Sequence, residues 1–150
     1  MSLDRHVAAL ARLPIFSAFE PEALRLIAFA SEPVHFSAGD VVVRNGEDSN
    51  GGFLVLSGSL ILDLGHGSME QGKVVGPGAL IGEIALFTAT TQPATAIARE
   101  NTTVLKIPRT LIRRVLDEFP ESAKRAAQAL RHEIARFGKD LEQVRQVTQR

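Results

Sequence analysis

The sequence predicts an α+β domain, with helices at both ends and an antiparallel β-sandwich or barrel between them. Three observations point there. Apolar residues fall at helical spacing near each end; the stretch between breaks into short β-rich runs; and glycines recur between those runs at turn positions. The expected division is 1–33 for N-terminal helices, 34–108 for the β region and 109–150 for C-terminal helices, all within one domain.

Near the N-terminus, Val7, Leu10 and Ala11, then Leu24, Ile27 and Ala28, mark two helical stretches divided by Pro14. Proline is tolerated in a helix's first turn, where its missing N–H leaves no bond unmade, so Pro21 predicts a helix over about 21–30. From Val34 onward come the runs Val41 to Val43, Phe53 to Leu56, Leu60 to Leu64, Val74 to Val75, Ala94 to Ala98 and Thr103 to Ile107. Gly39, Gly46, Gly58 and Gly78 are the expected turn residues between them.

Beyond Pro108 the pattern is helical again, with Pro120 near the start of a final helix running to about Val147. Along it Ala123, Ala127, Leu130, Ile134, Phe137, Leu141 and Val144 alternate in steps of four and three, a heptad seam. At 1.5 Å per residue such a helix is roughly 40 Å long, more than a domain this small covers. A homodimer through Ala127, Leu130, Ile134, Phe137 and Leu141 is therefore expected, although a helix packing on its own sandwich produces the same stripe. Gly138 weakens the helix within the seam and marks where packing on the domain stops.

Composition narrows the function classes. At 150 residues a single domain buries roughly 70% of its unfolded surface. A hydrophobic share of 45% and a charged share of 23% fit a globular chain and neither disorder nor a fibrous repeat. Seventeen basic and seventeen acidic side chains cancel, so the electrostatic footprint of non-specific nucleic-acid binding is missing. The tail's small basic excess is interspersed with acids and reads as a solvated helix face. Without cysteine there is no disulfide, thiolate metal site or cysteine nucleophile. Asp4, Arg5, Arg12, Glu20, Glu22 and Arg25 interrupt the first thirty residues, so neither a signal peptide nor a membrane span is expected, and residence is expected to be cytoplasmic.

Catalytic constellations are weak. His6, His35, His66 and His132 are isolated in sequence and offer no paired metal-ligand spacing. Ser57 and Ser59, in LSGSL, occupy a hairpin turn that accounts for them without nucleophilic chemistry. Gly76, Gly78 and Gly82 miss the dinucleotide spacing by one residue and lack a βαβ context. No enzyme and no cofactor are expected.

The informative segment is GEIALFTATTQPAT, Gly82 to Thr95. A one-turn helix over Ile84 to Leu86 presents unpaired backbone N–H groups at its N-terminal end, and such ends bind phosphate. Gly82 lets the backbone approach a ligand, Glu83 is suited to accept hydrogen bonds from a sugar hydroxyl, and Thr95 adds a hydroxyl from the next strand. As alternatives, Glu83 as an exposed carboxylate would favour the helix dipole, and Thr90, Thr91 and Gln92 would form an ordinary polar loop.

This segment, with LARLPIFSAFEPEALRLIAFA and FSAGDVVVRNGEDSNGGFLVLSGSLIL before it, is similar to the cyclic-nucleotide-binding domain family over almost the whole chain. That family includes bacterial cyclic AMP receptor proteins, kinase regulatory subunits and nucleotide-gated channels. The resemblance implies an eight-stranded β-roll, or jelly roll, with N-terminal helices, a short phosphate-cassette helix and a long C-terminal helix. It also implies a pocket between roll and C-terminal helix for cyclic AMP, cyclic GMP or a related small anion. Gly82 and Glu83 would meet the ribose 2'-hydroxyl, the N–H groups near Ile84 and Ala85 the cyclic phosphate, and Gln92, Ala94 and Thr95 the rest of the ligand's surroundings.

One position departs from the pattern. The family places an arginine six residues after the cassette leucine, and counting from Leu86 that position is Gln92. An amide donates a hydrogen bond but brings no charge, and losing one partner of a buried charge pair costs roughly 2 to 5 kcal/mol. At 1.4 kcal/mol per decade that is about 30-fold to several thousand-fold in affinity. Arg44 and Arg99 are the cations considered as substitutes; Arg99 shares Thr95's strand face but lies about 13 Å further along. Three readings follow: a ligand sensor of weakened affinity, a degenerate domain kept for dimerisation or protein interaction, and the sensor part of a transcription regulator without its DNA-binding domain. No nucleic acid and no membrane partner are expected of the chain itself.

Overall fold

Two helices and a run of tight turns form the N-terminal layer of the computed structural model, which describes residues 3–63 and 72–132. Helix α1, Leu3–Ala11, buries His6 and Leu10; helix α2, Pro21–Ala30, buries Ala23, Leu24, Ile27 and Ala28. Between them successive i→i+3 bonds, Leu13 N–H to Leu10 O, Phe16 N–H to Leu13 O and Phe19 N–H to Phe16 O, wind the chain tightly. The winding turns Leu13, Ile15, Phe16 and Phe19 inward, where the Phe16 and Phe19 rings meet edge to face at 5.1 Å. Pro21 is the first helical residue of α2, as its fixed φ favours.

The β region comprises β1 Glu32–Phe36, β2 Val41–Val43, β3 Asp48–Ser49, β4 Gly51–Ser57, β5 Leu60–Asp63, β6 Lys73–Val75, β7 Leu80–Ile81, β8 Thr90–Thr91, β9 Thr95–Ala98 and β10 Thr102–Pro108. One sheet has the order β1-β10-β4-β7, the facing sheet β2-β9-β5-β6, and β3 and β8 form a separate ribbon. The strand pairings among the described residues are antiparallel. The jelly-roll fold is as expected, but ten strands are described where eight were expected. The surplus reflects two-residue pairings such as Asp48 with Thr91, too short to leave a period in the sequence.

Alternation along the paired central strands divides the interior. On β10, Leu105 and Ile107 face the helices while Val104 faces the second sheet; on β4, Leu54 and Val55 make the same division. All four of the glycines expected at turns have positive φ. At Gly58 the requirement is also steric, because an added Cβ would lie 2.4 Å from Thr102 Oγ1.

Helix α3, Arg109–Glu118, buries Leu111, Ile112 and Val115 against the first sheet. It stops at Phe119, which precedes Pro120 and is therefore pushed out of helical geometry, at φ −127° and ψ 79°. A final helix, α4, begins at 120 and is described as far as 132. Its buried positions are Ser122 and Ala126, with Ala129 and Leu130 packed beside them on the chain's own core. The Ser122 hydroxyl accepts from Glu20 N–H at 3.1 Å, and Arg125 donates to Ala18 O. Ala127, expected in the seam, is exposed, and Ala123 is half-buried. Over these turns the helix packs on its own domain through a stripe offset from the expected one, because adjacent alanines give no sequence signal of which faces inward. Ile134, Phe137, Leu141 and Val144 lie outside the described residues.

Candidate functional site

The cassette begins where β7 ends. β7 pairs with β4, Ile81 against Phe53 and Leu80 against Leu54, and the chain then turns at Gly82, whose φ is +83°. Glycine is required there twice over, since an added Cβ would also sit 2.9 Å from Gly51 O. Glu83 follows in helical geometry, half-buried, and a single 3-10 turn spans Ile84–Leu86. The turn engages Leu86 N–H with Glu83 O at 3.2 Å and Phe87 N–H with Ile84 O at 3.0 Å. The N–H groups of Ile84 and Ala85 precede the first such donor, so the turn itself supplies them no partner.

Two contacts hold this turn in place. Leu86 is fully buried in the cluster that also contains Leu111, Ile112 and Val115 of α3, so the cassette's apolar residue is seated under the C-terminal helix. Arg109, the first residue of α3, directs Nη1 to Ser49 O at 3.0 Å, Ala85 O at 3.3 Å and Thr88 O at 3.0 Å. Its backbone N–H donates to Asn50 O at 2.7 Å. One guanidinium thus ties the cassette turn, the β3 end and the start of α3 together. Sequence reasoning passed over Arg109, although there was a signal: a cation at a helix N-terminus opposes the helix dipole and needs a partner elsewhere.

Downstream of the turn the expected residues separate. Gln92 is buried, its N–H donating to Glu47 O at 2.7 Å and its carbonyl accepting from Gly46 N–H at 2.9 Å, while its side-chain Oε1 has no hydrogen-bond partner. The Thr95 hydroxyl accepts from Asn45 N–H at 2.9 Å, so part of its capacity serves the β2–β3 turn. Ala94 is buried and Ile84 exposed. Gln92 lines a cavity of about 210 Å³ with Val42, Glu47, Asp48 and Phe53, and none of Gly82, Glu83, Ile84, Ala85, Ala94 or Thr95 lines it.

Neither substitute cation reaches the cassette through a described contact. Arg44 is exposed and lies 3.8 Å from Glu47, and Arg99 is exposed just beyond β9. Ser59 is a turn residue in use, its hydroxyl donating to Glu100 Oε2 at 2.7 Å. Among the described residues no group of three His, Cys, Asp or Glu side chains is arranged to hold a metal ion. No described helix is long and apolar enough to cross a membrane.

Comparison with known proteins agrees with this geometry. A family model for the cyclic nucleotide-binding domain matches residues 33–119. A cyclic nucleotide-binding-like protein from Brucella abortus is 34% identical and superposes with a TM-score of 0.67, covering 75% of this chain and 97% of that one. The N-terminal domain of a transcriptional regulator from Streptomyces coelicolor superposes with a TM-score of 0.77 over 88% of this chain and 93% of that one, at 24% identity, which speaks for the fold alone. Lysophospholipase NTE1 of Coccidioides immitis is 35% identical over 120 residues, 76% of this chain but 8% of its own length. The chain thus corresponds to a small part of the curated relatives it matches. The cassette turn, the two-sheet roll around it and the family match agree, and the chain belongs to the cyclic nucleotide-binding domain family.

Proposed function

We propose that this chain is a regulatory ligand-sensing domain and not a catalytic one, and that its cassette takes cyclic AMP, cyclic GMP or a related small anion. The observation that carries this reading is Gly82 at positive φ leading into the Ile84–Leu86 turn, with the Ile84 and Ala85 amides ahead of the turn's first internal bond. Gly82 and Glu83 are the residues for a sugar hydroxyl, and the Ile84 and Ala85 amides those for phosphate. Thr95, with Ala94 beside it, closes the segment. Affinity is weakened because Gln92 brings no charge. Lysophospholipase activity belongs to the named relatives, and for this chain the matched stretch supports a regulatory role beside some other activity.

Signal transfer follows from the two contacts beneath the turn. Leu86 shares a buried cluster with α3, and Arg109 bonds to the cassette carbonyls of Ala85 and Thr88 from the first residue of α3. A ligand that binds one cassette geometry better than another shifts the placement of α3 by its differential affinity, and α4 follows. Ile134, Phe137 and Leu141 of the expected seam associate with a second copy, with exposed Ala127 at the edge, while Leu130 of that seam packs on the chain's own core. Residence is cytoplasmic and the domain is a single unit over 1–150.

Gln92 favours a second reading, a degenerate domain kept for association. Titration calorimetry with cyclic AMP and cyclic GMP on wild type and Gln92→Arg separates the two. Saturable binding by wild type, tightened by the arginine, is the expected result. Silence from wild type at millimolar nucleotide overturns the sensor reading for those ligands, whereas binding gained only by Gln92→Arg identifies a preserved but disarmed cassette. Sedimentation of wild type against Ile134→Asp with Phe137→Asp tests association, and a monomeric wild type ends that part.

A further inference from the structure

Gln92 leaves the cassette without its expected cation, and Arg44 and Arg99 do not reach it through a described contact. Arg109 does reach it, from behind the turn. Its Nη1 donates to Ala85 O at 3.3 Å and to Thr88 O at 3.0 Å. No carboxylate among the described residues neutralises it: the described ion pairs are Arg44 with Glu47, Arg114 with Glu118 and Lys124 with Glu121. Asp48 and Asp117, exposed at the rims of two hollows that Arg109 borders, form no ion pair with it. A half-buried guanidinium therefore stands against the turn with only carbonyl dipoles to balance its charge.

The turn connects that charge to the amides at its other end. Nη1 bonds Ala85 O, and the same peptide group carries Leu86 N–H, which donates to Glu83 O at 3.2 Å. The peptide group of Glu83 O in turn carries Ile84 N–H. A peptide polarised at its carbonyl is a stronger donor at its N–H, so the two bonds in series strengthen the Ile84 donor. From the guanidinium to an anion on that amide the path is at most roughly 14 Å. At an effective dielectric of about 20, a unit charge over that distance is worth on the order of tenfold in affinity. The loss expected from Gln92 is larger, so such a cation offsets it only in part.

We propose that Arg109 is the cassette's compensating cation, favouring an anionic ligand at the Ile84 and Ala85 amides through the peptides of the turn without touching the ligand. This role rests on the reading of the cassette as an anion site, and it makes Arg109 more than a mechanical tie. A tie needs the planar fork that spans Ser49 O, Ala85 O and Thr88 O, which lysine does not reproduce. A compensating charge needs only a cation at that place.

The two roles separate by experiment. Cyclic AMP and its neutral phosphate methyl ester are titrated into wild type, Arg109→Lys and Arg109→Met at low and high salt, while backbone amide resonances are followed. Arg109→Met should weaken cyclic AMP about tenfold and the ester by less than about twofold, and Arg109→Lys should keep cyclic AMP within about threefold of wild type. Without ligand, the Ile84 and Leu86 amide protons should move upfield in Arg109→Met and much less in Arg109→Lys. If Arg109→Met does not fold, Arg109→Gln, which keeps an amide donor without the charge, takes its place. Equal losses for cyclic AMP and the ester, or equal losses in the lysine and neutral variants, overturn the proposal and leave the cassette reading standing. A wild type that binds neither compound at millimolar concentration overturns both.

Discussion

The two faces of the β1-β10-β4-β7 sheet make an instructive contrast. Toward the helices it meets large side chains, including Phe16, Leu10, Ile27, Leu86 and Ile112, all essentially without exposure. Toward the second sheet the buried set is smaller: Val43, Val55, Leu60, Ala96, Ala98 and Val104. The first face carries most of the buried hydrocarbon and hence most of the hydrophobic stabilisation. The second is built from alanine and valine, and the cavity beside Val43 and Gln92 borders it. Stability is concentrated on one side of the roll, the cavity lies against the other, and Leu86 seats the cassette turn on the first.

That division is open to attack by substitution. Leu54→Ala, on the helix side, should cost about 2 to 5 kcal/mol in chemical denaturation, because a fully buried leucine leaves a cavity that the packed helices cannot close. Ala96→Val, on the other side, should cost about 1 to 3 kcal/mol from overpacking. If the two orders were reversed, the contrast between the faces would fall.

At the cassette turn, Gly82→Ala should destabilise by roughly 1 to 3 kcal/mol, since a side chain there is strained at φ +83° and meets Gly51 O. Arg109→Met keeps the aliphatic stem but removes the donors to Ser49, Ala85 and Thr88, and about 1.5 to 3 kcal/mol should be lost. Hydrogen exchange sharpens this: the amides of Phe87 and Thr88 should lose protection in Arg109→Met more than those of β10, and a uniform loss would argue against a local tie. The smallest effect is reserved for Glu118→Gln, which breaks the exposed pair with Arg114 at 3.3 Å and should change stability by about 0.5 kcal/mol or less.

Much of this was legible in the residues. Pro21, Pro108 and Pro120 mark helix boundaries through proline's missing donor and its effect on the preceding residue, and all three boundaries are where expected. Gly39, Gly46, Gly58 and Gly78 announced their turns because only glycine takes positive φ freely. The α4 stripe was less legible, since Ala126 and Ala127 are chemically identical neighbours and only docking on Ala18 and Glu20 selects one of them to face inward. Arg109 was legible only in part: a cation at a helix N-terminus signals that it needs partners, but these are the carbonyls of Ser49, Ala85 and Thr88, and backbone acceptors have no sequence signature.

The sequence by itself determined the α+β class, the turn and helix punctuation and the family, because these rest on periodicity, on glycine and proline backbone limits and on the Gly82 to Thr95 segment. Only the tertiary structure decided which polar groups meet. It put Arg109 under the cassette and left the Gln92 oxygen buried and unpaired, because such meetings depend on contacts between residues far apart in the chain, and no local pattern records them.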